Sequence, residues 1–365
     1  MKSKKILSKQ ARPGMVVASD IFSSSNQLII PKNSVLTDRA ITRLQFYSIR
    51  EISVVINESK PNEKDVSPIP SMDKSYSEII KGSVEYKRFN NAFLESVNSF
   101  KSVLSEFVES GVNHLNLDSL LELTNNVLSE SRNGVHVFHM LHCMRDYDDL
   151  TFAHSLNVSL ICNIYGKWLN LSEKEIDILT LSGLLHDIGK LLIPKSIISK
   201  PSPLNDEETA VIQTHPMRGY NLLKDLKIDP RIKYSALMHH EKCDGSGYPN
   251  GFSSDHIDAF AKIITVIDVY DAMTSARVYR DALCPFEVIN IFESEGLQKY
   301  DPTYLLPFLK GIVETYLHNQ VTLSDGRIGE IVMINPLVLS KPMIHVGDEF
   351  IDLSKEIDLY IQTIV

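Results

Sequence analysis

The feature that most constrains this chain is a set of His and Asp residues strung through a region of helical periodicity: His154, His186, Asp187, His215, His239, His240 and Asp268. Successive groups are separated by 32, 28, 24 and 28 residues. Each interval holds a helix and its connection, so the groups come from different helices and converge only in the core of a bundle. Imidazole nitrogens and carboxylate oxygens suit Mn, Fe, Zn or similar divalent ions. Such a mixed site holds more than one ion where a carboxylate bridges.

His186 and Asp187 follow ILTLSGLL, a stretch too apolar for a surface loop. A carboxylate there demands a partner, and a metal is the best candidate. Adjacent helical residues point roughly 100° apart, so both reach one site only by flanking it. Lys190, three residues after Asp187, shares its face; a cation beside metal-bound oxygens makes sense if the ligand is anionic. An isolated His-Asp pair reads equally well as a hydrogen-bonded core pair. The stretch HHEKCDGSGYP, His239 to Pro249, decides between them. Two adjacent histidines are followed by Glu241, placed to orient them, and by Asp244, Gly245, Gly247 and Pro249, which specify a tight loop. Nothing in helix propensity calls for that order.

Composition sets the limits. The chain has 365 residues, is 43% hydrophobic and 23% charged, and carries a net charge of −9. It should be globular, with two or three domains. Residues 1 to 60 hold ten Lys/Arg against four Asp/Glu, +6, which leaves −15 for the remainder. That balance excludes a polyanion-coating protein and polymeric nucleic acid as a partner, but not a small anionic substrate. The basic start, MKSKKILSKQARPG, meets Ser, Lys, Gln and Arg before any apolar run and does not read as a secretory signal. No stretch approaches the roughly 18 apolar residues of a membrane span. A cytoplasmic location is expected. The four cysteines, Cys143, Cys162, Cys243 and Cys284, are too scattered for a disulfide framework or a CxxC knuckle.

The expected fold is mainly α, a helical bundle, with small additions at both ends. Residues 1–60 read as an α+β module: a hairpin from VVASDIF and LIIP, a helix capped by Thr37 and Asp38 with Ile41 and Leu44 inward, and a strand at Ile52 to Ile56. Residues 61–75, with Pro61, Pro68 and Pro70, read as a linker. In the helical connector 76–130, Phe93, Val97, Phe100, Leu104 and Phe107 form one apolar seam. Packing on its own domain is the first reading of that seam; a homodimer through the 89–108 helix is the other. Residues 131–318 form the helical core and 319–365 a β-rich extension with an Asp325-Gly326 turn.

With HDIGK at His186 to Lys190 and HHEKCDGSGYP in register, the chain resembles the HD-GYP family, a branch of the HD-domain metallophosphohydrolases. LTFAHSLNVS, THPMRGYNLL and DVYDAMTSARVYR resemble family motifs in family order, so the likeness covers roughly residues 131–318. PGMVVASDIF with LIIPKNSVLTDRAITRL resembles a small domain often found ahead of HD-GYP domains. The resemblance implies a helical bundle around two or three ions, usually iron or manganese, and hydrolysis of cyclic di-GMP to pGpG, often onward to GMP, by a hydroxide that bridges the ions.

Carried over residue by residue, it implies that His154, His186, Asp187 and Asp268 hold one ion. Asp187 then bridges to a second held by His215, His239 and His240. Lys190 and Arg280 meet phosphate oxygens, with Arg277 as a weaker candidate. Asp271 orients a ligand or the bridging water, and Tyr248 lies in the loop that names the family. Three-metal members carry a Glu four residues before the first His; here that position is Leu150, with Asp148 and Asp149 out of phase, so a dinuclear site is expected. Cyclic GMP-AMP or pGpG as the preferred substrate, and a non-hydrolytic sensor, stay open as alternatives. His136, His139 and His142 imitate a metal stripe but lack carboxylate neighbours and read as packing or surface; Cys243 reads as incidental.

Overall fold

The computed structural model describes residues 3–22, 28–36, 40–41, 44, 49–55, 80–110, 114–144, 150–275 and 282–365. The linker 61–75, the helix caps Thr37 and Asp38, Asp148, Asp149, Arg277 and Arg280 lie outside them. Two compact units emerge, Met1–Ile79 with Arg132–Val137, and Ile80–Ser131 with Phe138–Val365.

In the first unit, strand β1 (Ser3–Leu7) pairs antiparallel with β4 (Glu51–Val55), and β2 (Ile21–Phe22) with β3 (Leu28–Ile30). The expected hairpin and third strand are present, and Ile41 and Leu44 are helical. Strand β1 was not expected. Its Ser-Lys-Lys start is largely exposed and carries no alternation; only the ladder with β4 defines it. Val17, Ile21, Ile29, Ile30, Leu36, Leu44, Ile52 and Val54 form the core of this unit.

The second unit opens with helix α1 (Val84–Ser110), whose buried face is Phe89, Phe93, Val97, Phe100, Leu104 and Phe107. The seam is turned inward. Ser96 Oγ donates to the Leu123 carbonyl of α2 (Leu117–Ser129) at 3.0 Å, and the Phe100 ring meets Phe152 edge-on at 5.8 Å. Burying each such side chain contributes about 1.5–3 kcal/mol, so packing within its own unit is the use the chain makes of the seam. Helix α3 (Gly134–Cys143) follows, then α4 (Leu150–Trp168) and α5 (Glu173–Leu185).

Helix α5 starts at a capping box in which Ser172 N donates to Glu175 Oε2 at 3.0 Å. From Ile178 to Leu185 every residue is buried. A helix apolar all round belongs at the centre of a bundle, and α5 delivers its C-terminal residues there. Against it pack α7 (Pro230–Met238) and α8 (Ala259–Thr274), with α6 (His215–Leu223) on α7 and α9 (Pro302–Thr315) on α8. Among the described helices none is long and apolar enough to cross a membrane.

The chain continues into an antiparallel five-stranded sheet in the order β8-β7-β6-β5-β9, formed by Glu349–Asp352, Met343–Val346, Ile328–Met333, Gln320–Leu323 and Ile361–Ile364. Gly326 takes φ +87° at the expected turn. Val321, Leu323, Ile331, Ile344 and Ile361 form its buried side.

Candidate metal centre

Five segments aim side chains at one point. His154 comes from the second turn of α4, and His186 and Asp187 from the end of α5. His215 opens α6, His239 and His240 follow α7, and Asp268 lies in α8. The approach of α6 to α5 depends on Gly189. A Cβ there would lie 2.0 Å from the His215 carbonyl oxygen and 2.5 Å from Gly219 N. Any side chain at that position would push His215 away from Asp187, which is the physical reason for the glycine in HDIGK.

The structure brings all seven expected ligand residues together. One nitrogen or oxygen from each of Asp187, His215, His239 and His240 lies within 4.8 Å of the others, and the same holds for His154, His186 and Asp187. Asp187 is common to both groups. Asp268 completes the second, with Oδ1 2.9 Å from His154 Nε2 and 3.9 Å from His186 Nε2, while its Oδ2 lies 3.7 Å from His240 Nδ1.

Three ring nitrogens turned from the centre are committed to main-chain carbonyls. His186 Nδ1 lies 2.7 Å from the Gly183 carbonyl, His215 Nδ1 2.7 Å from the Ile212 carbonyl, and His239 Nδ1 3.0 Å from the Ser235 carbonyl. A carbonyl only accepts, so each Nδ1 carries the proton and each neutral ring turns an Nε2 lone pair inward. Those lone pairs face one another and Asp187. His215 Nε2 is 3.1 Å from His239 Nε2 and 3.2 Å from Asp187 Oδ1. His186 Nε2 and Asp187 Oδ1 are buried without a hydrogen-bond partner. Buried lone pairs converging on a carboxylate are stable only around a cation, so these residues fit divalent metal.

Electrostatics agree. Burial resists ionisation of Asp187, but Lys190 and His186 hold its carboxyl well below the usual range; His154 does the same for Asp268. Burial lowers His239 to about 4 despite its bond to Asp187, and lowers His240 as well. For His154, burial is outweighed by Asp268 and Asp271, which raise it to about 9. The pocket therefore presents ionised carboxylates at Asp187 and Asp268 and neutral imidazoles at His239 and His240, the protonation states of metal ligands, while His154, between two carboxylates, holds its proton.

Asp271 stands one step back. Its Oδ2 accepts from His154 Nδ1 at 2.7 Å and its Oδ1 from Asn157 Nδ2 at 3.2 Å. Lys190 Nζ donates to Asp187 Oδ2 at 2.5 Å. Tyr248 lays its ring against His240, centroids 4.7 Å apart. Glu241 differs from expectation. It does not orient the histidines: its two oxygens accept from Asn250 N at 2.8 Å and Phe252 N at 3.0 Å, so it holds the loop that follows. That loop turns back tightly at Gly247, where a Cβ would lie 2.5 Å from the His240 carbonyl oxygen and 2.4 Å from Lys242 N.

Lys242 and Tyr300 were not singled out by the sequence. Lys242 Nζ sits 4.5 Å over the centre of the Tyr300 ring. Burial lowers this ammonium to about 8 against the pull of Asp268. Asn157 was also missed, although it lies one turn after His154. Of the His stripe, His139 is buried with Nε2 2.8 Å from the Thr315 carbonyl, and His136 Nδ1 accepts from Arg132 N at 3.2 Å. Both serve packing.

Comparison with known proteins fits this geometry. Residues 139–304 match the HD domain family. A cyclic di-GMP phosphodiesterase of Pseudomonas aeruginosa, PA4108, is 32% identical over 204 residues, 56% of this chain and 49% of that protein. The cyclic di-GMP phosphodiesterase response regulator RpfG of Xanthomonas campestris pv. campestris is 35% identical over 169 residues, 45% of this chain and 44% of that one. The 3'3'-cGAMP-specific phosphodiesterase 1 of Vibrio cholerae is 40% identical over 145 residues, 40% of this chain and 34% of that one. The chain thus spans about half or less of the curated relatives it matches. The stretch similar to the HD domain family, residues 139–304, contains both HDIGK and HHEKCDGSGYP.

Proposed function

We propose that the chain is a metal-dependent phosphodiesterase that hydrolyses cyclic di-GMP to pGpG and onward to GMP. The observation that carries this reading is Asp187, shared by two groups of inward-facing imidazoles and left with a buried, unpartnered oxygen. His154, His186, Asp187 and Asp268 would hold one ion, and Asp187, His215, His239 and His240 a second. Mixed imidazole and carboxylate donors suit iron or manganese. Divalent ions bound there supply water activation at neutral pH and charge relief on a phosphodiester.

The chain's own residues do the rest. Lys190 neutralises Asp187 and stands at the same carboxylate for phosphate oxygens. Asp271 fixes the ring of His154 by taking its Nδ1 proton into a hydrogen bond, which keeps Nε2 aimed inward. Tyr248 covers His240 and limits water on that side. With Leu150 at the start of α4, no carboxylate stands four residues before His154, which supports two ions and not three. A nucleotide second messenger as substrate supports action in the cytoplasm, with residues 1–60 as a regulatory or interaction module.

One observation favours a second substrate. The relative with 40% identity is named for 3'3'-cGAMP, so cyclic GMP-AMP is the competing dinucleotide. The test is turnover of cyclic di-GMP, 3'3'-cGAMP and pGpG by protein loaded with Mn²⁺ or, anaerobically, Fe²⁺, followed by chromatography. Cyclic di-GMP should be consumed, and the His186→Ala/Asp187→Ala double variant should be inert. Equal turnover by that variant, or none by the loaded wild type on any of the three, overturns the reading.

A further inference from the structure

Resting on the reading of the chain as a cyclic dinucleotide phosphodiesterase, we propose that Lys242 and Tyr300 bind the phosphate that is not being cleaved, with Tyr300 offering its ring to the neighbouring base. A cyclic dinucleotide carries two phosphodiesters, each with one negative charge. Only one of them can occupy the centre built on Asp187. The other must be met at a distance, by a cation that the centre itself does not consume.

Lys190 is engaged with Asp187 at 2.5 Å. Lys242 follows His240 by two residues, in the loop whose Tyr248 lays its ring against His240, and the charge of Asp268 acts on Lys242 and Tyr300. The nearby carboxylate of Asp244 accepts through its Oδ1 from Ser246 N at 3.0 Å and from Ser246 Oγ at 2.6 Å.

Lys242 is also held in place before any ligand arrives. Cys243 N donates to the Lys299 carbonyl at 2.9 Å, which joins the loop after His240 to the segment ahead of α9. On that segment Tyr300 N donates to the Gly296 carbonyl at 2.8 Å, and the Tyr300 ring is seated against Phe292 with centroids 5.2 Å apart. Lys242 Nζ lies 4.5 Å over this fixed ring and 3.5 Å from its hydroxyl, the outer limit of a hydrogen bond. An ammonium has three donors. One long bond to a phenol leaves it donors for phosphate oxygens, and charge-assisted bonds to phosphate are the stronger kind. A flat ring beside that cation is a stacking surface for a base.

A structural clamp, in which Lys242 only pins the loop to Tyr300, would have a different signature. It would slow every phosphodiester to the same degree. The test therefore compares cyclic di-GMP with bis(p-nitrophenyl) phosphate, which has a single phosphodiester and no second phosphate to bind, using the full chain loaded with Mn²⁺. Lys242→Gln should raise KM for cyclic di-GMP about tenfold with little change in kcat. It should lower kcat/KM for cyclic di-GMP about tenfold more than for the single diester, and Lys242→Arg should recover most of the loss. Should Lys242→Gln fail to fold, Tyr300→Phe keeps the ring and should raise the same KM about two- to threefold. Equal losses on both substrates, a fall in kcat with KM unchanged, or no recovery by arginine would overturn the proposal. A wild type that cleaves the single diester and no cyclic dinucleotide removes the functional reading and this proposal together. An active wild type with an indifferent Lys242→Gln removes only the proposal.

Discussion

Two buried histidines, in two regions of the helical unit, separate what packing does from what the centre does. His139 lies on α3 and reaches the end of α9, with its Nε2 committed to the Thr315 carbonyl at 2.8 Å. His186, at the end of α5, also gives one nitrogen to a carbonyl, that of Gly183 at 2.7 Å, yet its Nε2 is buried and unpartnered. Burial alone therefore does not mark a ligand. The mark is a ring fixed through one nitrogen whose other nitrogen points at lone pairs and a carboxylate.

The largest effect that sharpens this contrast is expected at Asp187. Asp187→Ala removes the oxygens common to both ligand groups and should lower kcat by more than about a thousandfold, measured under saturating Mn²⁺. Next comes the pair His186→Ala and His139→Ala. The first should lose about a hundredfold or more in metal affinity or activity with a modest change in folding. The second should keep its metal and activity but lose about 2–4 kcal/mol of stability in denaturant titration, because it leaves a cavity and an unpaired Thr315 carbonyl. Reversal of those two profiles would break the comparison. Asp271→Ala should cost about 10–100-fold in metal affinity, since His154 loses the acceptor that fixes its tautomer; unchanged affinity would make Asp271 a packing residue.

The smallest effect is a pH dependence carried by His139. Burial lowers its pKa to about 4 against the bond to Thr315, whereas the unfolded value is about 6.5. The unfolded chain thus takes up the proton first as pH falls. The contribution is fully present above about 6.5 and is lost progressively as pH drops toward about 4, at most about 3 kcal/mol. His139→Gln should flatten the stability profile in that window. A parallel profile would place the acid sensitivity elsewhere.

The same contrast explains what could be read from the sequence. The convergence of the seven His and Asp residues was legible because HHEKCDGSGYP stands in register with HDIGK; the His-Asp pair alone reads equally well as a hydrogen-bonded core pair. The stripe His136, His139 and His142 was separable by its missing carboxylates. Gly189 and Gly247 were visible as letters of the motifs, but their reason, backbone approaching within the space of one Cβ, appears only in three dimensions.

Other features had no sequence signature. The acceptors that fix the rings are main-chain carbonyls of Gly183, Ile212 and Ser235, which any residue type could provide. Glu241 was placed by adjacency with the histidines, yet it points to the opposite side, into the loop at 250–252. Lys242 and Tyr300 are 58 residues apart and meet only through folding. Strand β1 lacks alternation because both its faces are largely exposed.

The central claim is that one carboxylate, Asp187, organises two ion sites. Metal content per folded chain, measured after reconstitution with Mn²⁺ and removal of free ions, tests it most directly. The wild type should retain two ions, His154→Ala should weaken one while the other stays, and Asp187→Ala should release both. Two ions retained by Asp187→Ala, or a third bound by the wild type, would contradict it.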